Sequence, residues 1–115
     1  MTRIQILTAL VRMERPLDVL ERELSMHAWD SEEELIHLSV NVMKAVLLKY
    51  LTRDTARVDL QHWAELLEGR EDVSMSKPVA NVIFVLANPT LEGEITLSSV
   101  NNLIEQLESA SNDSK

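Results

Sequence analysis

The sequence predicts an all-α protein: one compact domain of about five helices around a central apolar helix at residues 40–51. Three observations carry that prediction. Nine of the twelve residues from Val40 to Leu51 are apolar. At helical period Met43, Val46, Leu47, Tyr50 and Leu51 form one stripe, and the other apolar residues widen it until Asn41 and Lys44 mark the wet face. A helix apolar over most of its circumference calls for neighbours on several sides. Second, breakers are scarce, with two glycines and three prolines, which disfavours a fold of many short strands. Third, amphipathic segments with helix-start signals flank the apolar one on both sides.

Taken in order, Thr2 and Gln5 have capping-box spacing before a stripe of Ile4, Leu7, Leu10 and Val11, so a first helix is expected over about residues 3–14. Pro16 disfavours helix at Arg15 but suits the first turn of a new one. Leu17, Leu20, Leu24 and Ala28 then share a face, with Glu21, Arg22 and Glu23 toward water. Two helices at an angle and one kinked helix both satisfy this pattern. From Trp29 to Leu35 an irregular connector is expected, with Asp30 or Ser31 able to cap a short turn and an extended run from Leu35 to Leu38 as the alternative. Ser39 is placed to cap the central helix.

After a polar link, Asp54 or Thr55 is expected to cap a helix whose stripe is Leu60, Trp63, Ala64 and Leu67, stopped by Gly69. Residues 70–76 read as a charged loop. Residues 79–87 are ambiguous, because Val82, Ile83 and Val85 are β-branched. Ser76 as cap, Pro78 in the first turn and the spacing of Val79, Ile83 and Leu86 favour a helix over 77–87. Asn88-Pro89 ends it. Thr96 caps a last helix with Val100, Leu103, Ile104 and Leu107 inside and Asn101, Asn102, Glu105, Gln106 and Glu108 outside. The domain is expected over 1–108, with a disordered polar tail at 109–115.

The totals exclude several classes. Cysteine is absent, so no disulfide, thiolate nucleophile or sulfur-ligated metal is available, and a cytoplasmic protein is the plain expectation. The run from Met1 to Pro16 is interrupted by Gln5, Thr8 and Arg12 and lacks a small-residue cleavage site, so no signal peptide is expected. No apolar run is long enough to cross a membrane. Net charge is −8, and the excess lies entirely after Trp29: residues 1–29 carry four basic and four acidic side chains, residues 30–115 seven and fifteen. Such a field repels nucleic acid and anionic membrane and attracts basic protein.

No pattern of catalysis emerges. His27, His37 and His62 do not pair at helical spacing, and no His-Glu-x-x-His or calcium loop is present, so no metal is expected. Without a Gly-x-Ser-x-Gly elbow, and with two glycines, neither a serine nucleophile nor a phosphate-cradling loop is supported. The expectation is a non-enzyme without cofactor. Trp63 belongs to a core stripe; Trp29 follows none, and seals the connector or anchors an interface.

Three stretches belong together: Trp29-Asp-Ser-Glu-Glu-Glu-Leu35, Trp63-Ala-Glu-Leu-Leu-Glu-Gly-Arg-Glu-Asp-Val73 and Leu86-Ala-Asn-Pro-Thr-Leu-Glu-Gly93. In this order they resemble a family of short, acidic, helical bacterial proteins, several of which look like immunity partners of contact-dependent-inhibition or polymorphic toxins. The resemblance covers about residues 29–108. It departs at Arg53 and Ala56, where the family usually has a glycine and a capping serine. It implies a cytoplasmic immunity protein that binds and neutralises a cognate toxin domain. A basic nuclease would suit the acidic surface.

The candidate partner-binding residues are Asp30, Glu32, Glu33 and Glu34, and the helix face Asp59, His62, Glu65 and Glu68 with Glu71 and Asp72. The plainer reading of each is a solvated face, with Arg70 paired locally. The alternative function is a helical adaptor or self-associating module, a homodimer included, using spare hydrophobes such as Leu48 or Met75.

Overall fold

The computed structural model describes residues 3–25, 36–70 and 72–113, with side chains to residue 109. Among the described residues the order is α1 (Arg3–Arg12), α2 (Leu17–Ser25), β1 (Ile36–Leu38), α3 (Val40–Leu51), α4 (Arg57–Leu67), β2 (Val73–Met75), α5 (Lys77–Ala87), α6 (Pro89–Glu92) and α7 (Leu97–Asp113). The fold is mostly helical, as the patterning predicts. It has more helices than expected and a small parallel sheet, with Ile36, His37 and Leu38 opposite Val73, Ser74 and Met75. The charged loop thus contains a strand, and the run from Ile36 to Leu38 before the central helix is another; residues 29–35 lie outside the described residues. The extended alternative for the run ending at Leu38 is the one adopted.

Pro16 separates two helices. α1 stops at Arg12, four residues earlier, in a Schellman turn: Met13 has φ 51°, its N–H donates to Leu10 O at 3.0 Å, and Glu14 N–H donates to Ala9 O at 3.0 Å. Lys49 Nζ reaches across to donate to Arg12 O at 2.9 Å and Met13 O at 3.1 Å, satisfying two further carbonyls of that end.

α3 spans the expected residues, and Ser39 Oγ accepts Val42 N–H at 3.2 Å as its cap. It is not, however, jacketed on all sides. It buries Met43, Val46 and Leu47 against α1 and α7, while Ala45 is exposed and Leu48 is 50% exposed. The more enclosed helix is α1, which meets α2, α3 and β1 and buries Ile6, Leu7, Ala9, Leu10 and Val11. Its buried arc is rotated from the expected stripe, leaving Ile4 49% exposed.

α4 buries Leu60, Trp63, Ala64 and Leu67, the predicted stripe, and packs on α5 and α2. The Trp63 indole N–H donates to Leu10 O at 2.6 Å, so the ring also latches α4 to the end of α1. Gly69 follows at φ 80°, the left-handed conformation expected of a residue just past a helix end. α5 is a helix: Ile83 is buried beside Val82 and Phe84 is 43% exposed, the reverse of what alternation along a strand would give. Ser76 stands at its start without a side-chain cap bond, unlike the expected cap.

The link after Asn88 includes a single turn, α6. Thr96 and Ser99 then cap α7 reciprocally, Thr96 Oγ1 accepting Ser99 N–H at 3.0 Å and Ser99 Oγ accepting Thr96 N–H at 2.8 Å. Val100, Leu103 and Leu107 face inward as predicted. The α7 backbone continues to Asp113, beyond residue 108 where the expected tail begins.

Candidate functional site

The site is best built from the break between α1 and α2. Because α2 starts directly after Pro16, Asp18 falls in its first turn. α3 ends in a second Schellman turn, with Arg53 at φ 68° and Asp54 N–H donating to Lys49 O at 2.8 Å. That turn brings Asp54 and Thr55 against the start of α2. α4 then begins at Arg57, and its first two turns carry Asp59 and His62 along the same line.

The result is an open cleft of about 420 Å³ whose wall includes Arg15, Asp18, Asp54, Thr55, Asp59 and His62. Three carboxylates and one guanidinium line it. His62 Nε2 lies 3.6 Å from Glu21 Oε2, which ties α4 to α2 at the rim when the imidazole is protonated. Arg15 Nη2 lies 3.6 Å from Glu23 Oε1. Thr55 is buried and its hydroxyl points to Met13 Sδ at 3.5 Å, which fixes the cleft floor to the α1 end.

Of the predicted residues, Asp59 and His62 belong to this cleft. Glu65 is exposed on α4 and accepts from Gln61 Nε2 at 3.2 Å. Glu68 lies nine residues beyond Asp59, about 14 Å along the helix axis at 1.5 Å per residue. It accepts from Asn88 Nδ2 at 2.8 Å, the same amide that donates to Phe84 O. Glu68 therefore braces the end of α5 and does not share the cleft. Asp30, Glu32, Glu33, Glu34 and Glu71 lie outside the described residues.

Asp72 requires a correction. The sequence pattern offers it to a partner from the surface, yet it is fully buried. Arg70 grips both its oxygens at 2.9 Å, and Arg3 Nε lies 3.5 Å from Oδ2. A carboxylate enclosed by two guanidiniums with no exposed edge cannot be offered to a partner. It joins α1 to the sheet, and Asp72 O also accepts the Ile36 N–H at 3.2 Å. The local pairing of Arg70 is the reading that holds here.

The cap of α4 is also corrected. Neither Asp54 nor Thr55 occupies the position; Ala56 does, and it makes no side-chain cap bond. Asp18 and Asp54 are the site residues that patterning along one helix misses. Both belong to helix-end segments; the α3–α4 turn brings Asp54 to Asp59, and the packing of α2 on α4 brings Asp18.

Among the described residues no three His, Asp or Glu side chains converge in metal-ligand geometry, and no helix is long and apolar enough to cross a membrane. Compared with protein-family models, curated proteins and solved structures, the chain matches none.

Proposed function

We propose that the protein is an immunity protein that binds a cognate bacterial toxin domain of basic surface and neutralises it by occupying that surface. One observation supports this reading above the others: Asp18 of α2 lines one open cleft together with Asp54 and Asp59 of the α3–α4 link and α4. Carboxylates gathered this way repel one another, and they serve a partner that brings positive charge. The resemblance in the Trp29, Trp63 and Leu86 stretches supplies the biological class, and a basic nuclease is the partner chemistry it suits. Such a role needs a rigid scaffold and no catalysis.

The test is binding to the product of the adjacent toxin gene. Asp59→Lys with Glu65→Lys should weaken affinity on the order of tenfold at low salt and flatten its salt dependence. Glu32→Lys with Glu33→Lys and Glu34→Lys tests the second acidic run separately. Unchanged affinity and salt slope in both variants removes electrostatic docking.

A second reading, a self-associating helical module, is supported by Leu48, half exposed on α3. Its signature is a concentration-dependent mass in sedimentation, abolished by Leu48→Glu. A monomer at all concentrations leaves the first reading alone.

A further inference from the structure

The chain at the α3–α4 link alternates in sign, and the fold sorts the charges. Arg53 and Asp54 are consecutive. Asp54 lines one pocket and Arg53, at φ 68° in the turn between α3 and α4, lines another. Arg57 and Asp59 are two residues apart at the start of α4, about 200° around its axis, and are divided in the same way. Asp54 and Asp59 line the acidic cleft. Arg53 and Arg57 line a second pocket of about 370 Å³ with Tyr50, Ala56 and Leu97. Thr55 lines both, so the two are contiguous.

This second pocket has the makings of a contact surface. Arg53 and Arg57 are exposed, and among the described residues neither has a carboxylate within ion-pair distance. Leu97 is half exposed beside them. Tyr and Arg around an apolar side chain is the composition enriched at interface centres.

We infer that the two pockets form one bipolar footprint, and that the protein partner carries a carboxylate beside its basic surface, held by Arg53 and Arg57. This rests on the proposed reading of the acidic cleft and sharpens its partner. Because Thr55 lines both pockets, the basic and acidic centres of the partner are neighbours. A protein surface presents both signs side by side. A nucleic acid presents one, and a chain of net charge −8 repels it.

The experiment titrates the ¹⁵N-labelled full chain with synthetic peptides at low salt. A block peptide, four lysines and four glutamates separated by a pair of glycines, is compared with a peptide of the same composition in alternating order. Decalysine and an oligothymidylate of equal length complete the set. The block peptide should bind about fivefold more tightly than the alternating one, with amide shifts at both Asp59–His62 and Arg53–Arg57. The variant Arg53→Gly with Arg57→Gln should remove that advantage and leave decalysine binding intact. Because glycine suits the conformation at position 53, this variant stays folded, which a urea midpoint verifies. Equal affinity for block and alternating peptides overturns the bipolar footprint while leaving the acidic cleft standing. Tighter binding of the oligothymidylate, with shifts at Arg53, Arg57 and Leu97, overturns it in favour of nucleic acid. Decalysine without shifts at Asp59 and His62 overturns the cleft reading, and this inference with it.

Discussion

Two non-glycine residues sit in left-handed backbone, and they have different fates. Arg53 is exposed and its side chain meets no carboxylate among the described residues, so Arg53→Gly removes strain of about 1–2 kcal/mol and costs about 0.4–1 kcal/mol through the freer unfolded chain. A net gain of roughly 0.5–1 kcal/mol is expected in urea unfolding. Met13 packs on the core and receives the Thr55 hydroxyl, so Met13→Gly should lose stability despite the same φ sign. Ala56→Ser should add about 0.5–1 kcal/mol by capping α4. If neither Arg53→Gly nor Ala56→Ser raises the midpoint, these turns are not strained as described. Asp72 provides the opposite case. Asp72→Asn removes the buried carboxylate that Arg70 and Arg3 share and should cost about 3 kcal/mol. Arg3→Met leaves the bidentate Arg70 grip in place and should cost clearly less. The reverse order would show that Arg3, not Arg70, holds the carboxylate.

At the scale of elements, the faces of α4, α5 and α7 were legible because their buried residues recur at three and four positions along segments of eleven residues or more. Of the strands, β1 was legible only as the extended alternative for the run to Leu38, and β2 only as loop. Ile36-His-Leu38 and Val73-Ser-Met75 each alternate, but three residues give too few positions to separate alternation from chance. Their pairing depends on what surrounds them. Helix starts were half legible: Ser39 and Thr96 cap as read, whereas α4 begins uncapped because the Arg53 turn spends Asp54 and Thr55 on other contacts. Trp63 joins elements in a way no stripe reveals. Trp63→Phe loses its N–H bond to Leu10 O and part of its packing, and should destabilise the fold by about 2 kcal/mol. The carbonyl keeps the Met13 N–H, so the loss stays below that of truncation to Ala. A melt of the two variants side by side checks the order.

For the whole molecule, charge was legible in amount and only partly in place. The net −8 announces attraction to basic partners, yet it takes the packing of α2 on α4 to bring Asp18 to Asp54 and Asp59, and Arg70 with Arg3 of α1 to withdraw Asp72. Self-repulsion of such a surface is screened by added salt. The urea midpoint should therefore rise between about 20 and 300 mM sodium chloride, the range over which the Debye length falls below the spacing of neighbouring surface charges. A falling midpoint would mean that the ion pairs, Arg70–Asp72 foremost, outweigh the repulsion.

The short parallel ladder has a kinetic corollary. Ile36 meets Val73 across 37 positions of chain that include all of α3 and α4. Closing so long a segment is entropically costly until those helices have condensed, so the strands zip late. A Val73→Ala variant should accordingly steepen the rate of unfolding and leave the refolding limb of its chevron almost untouched.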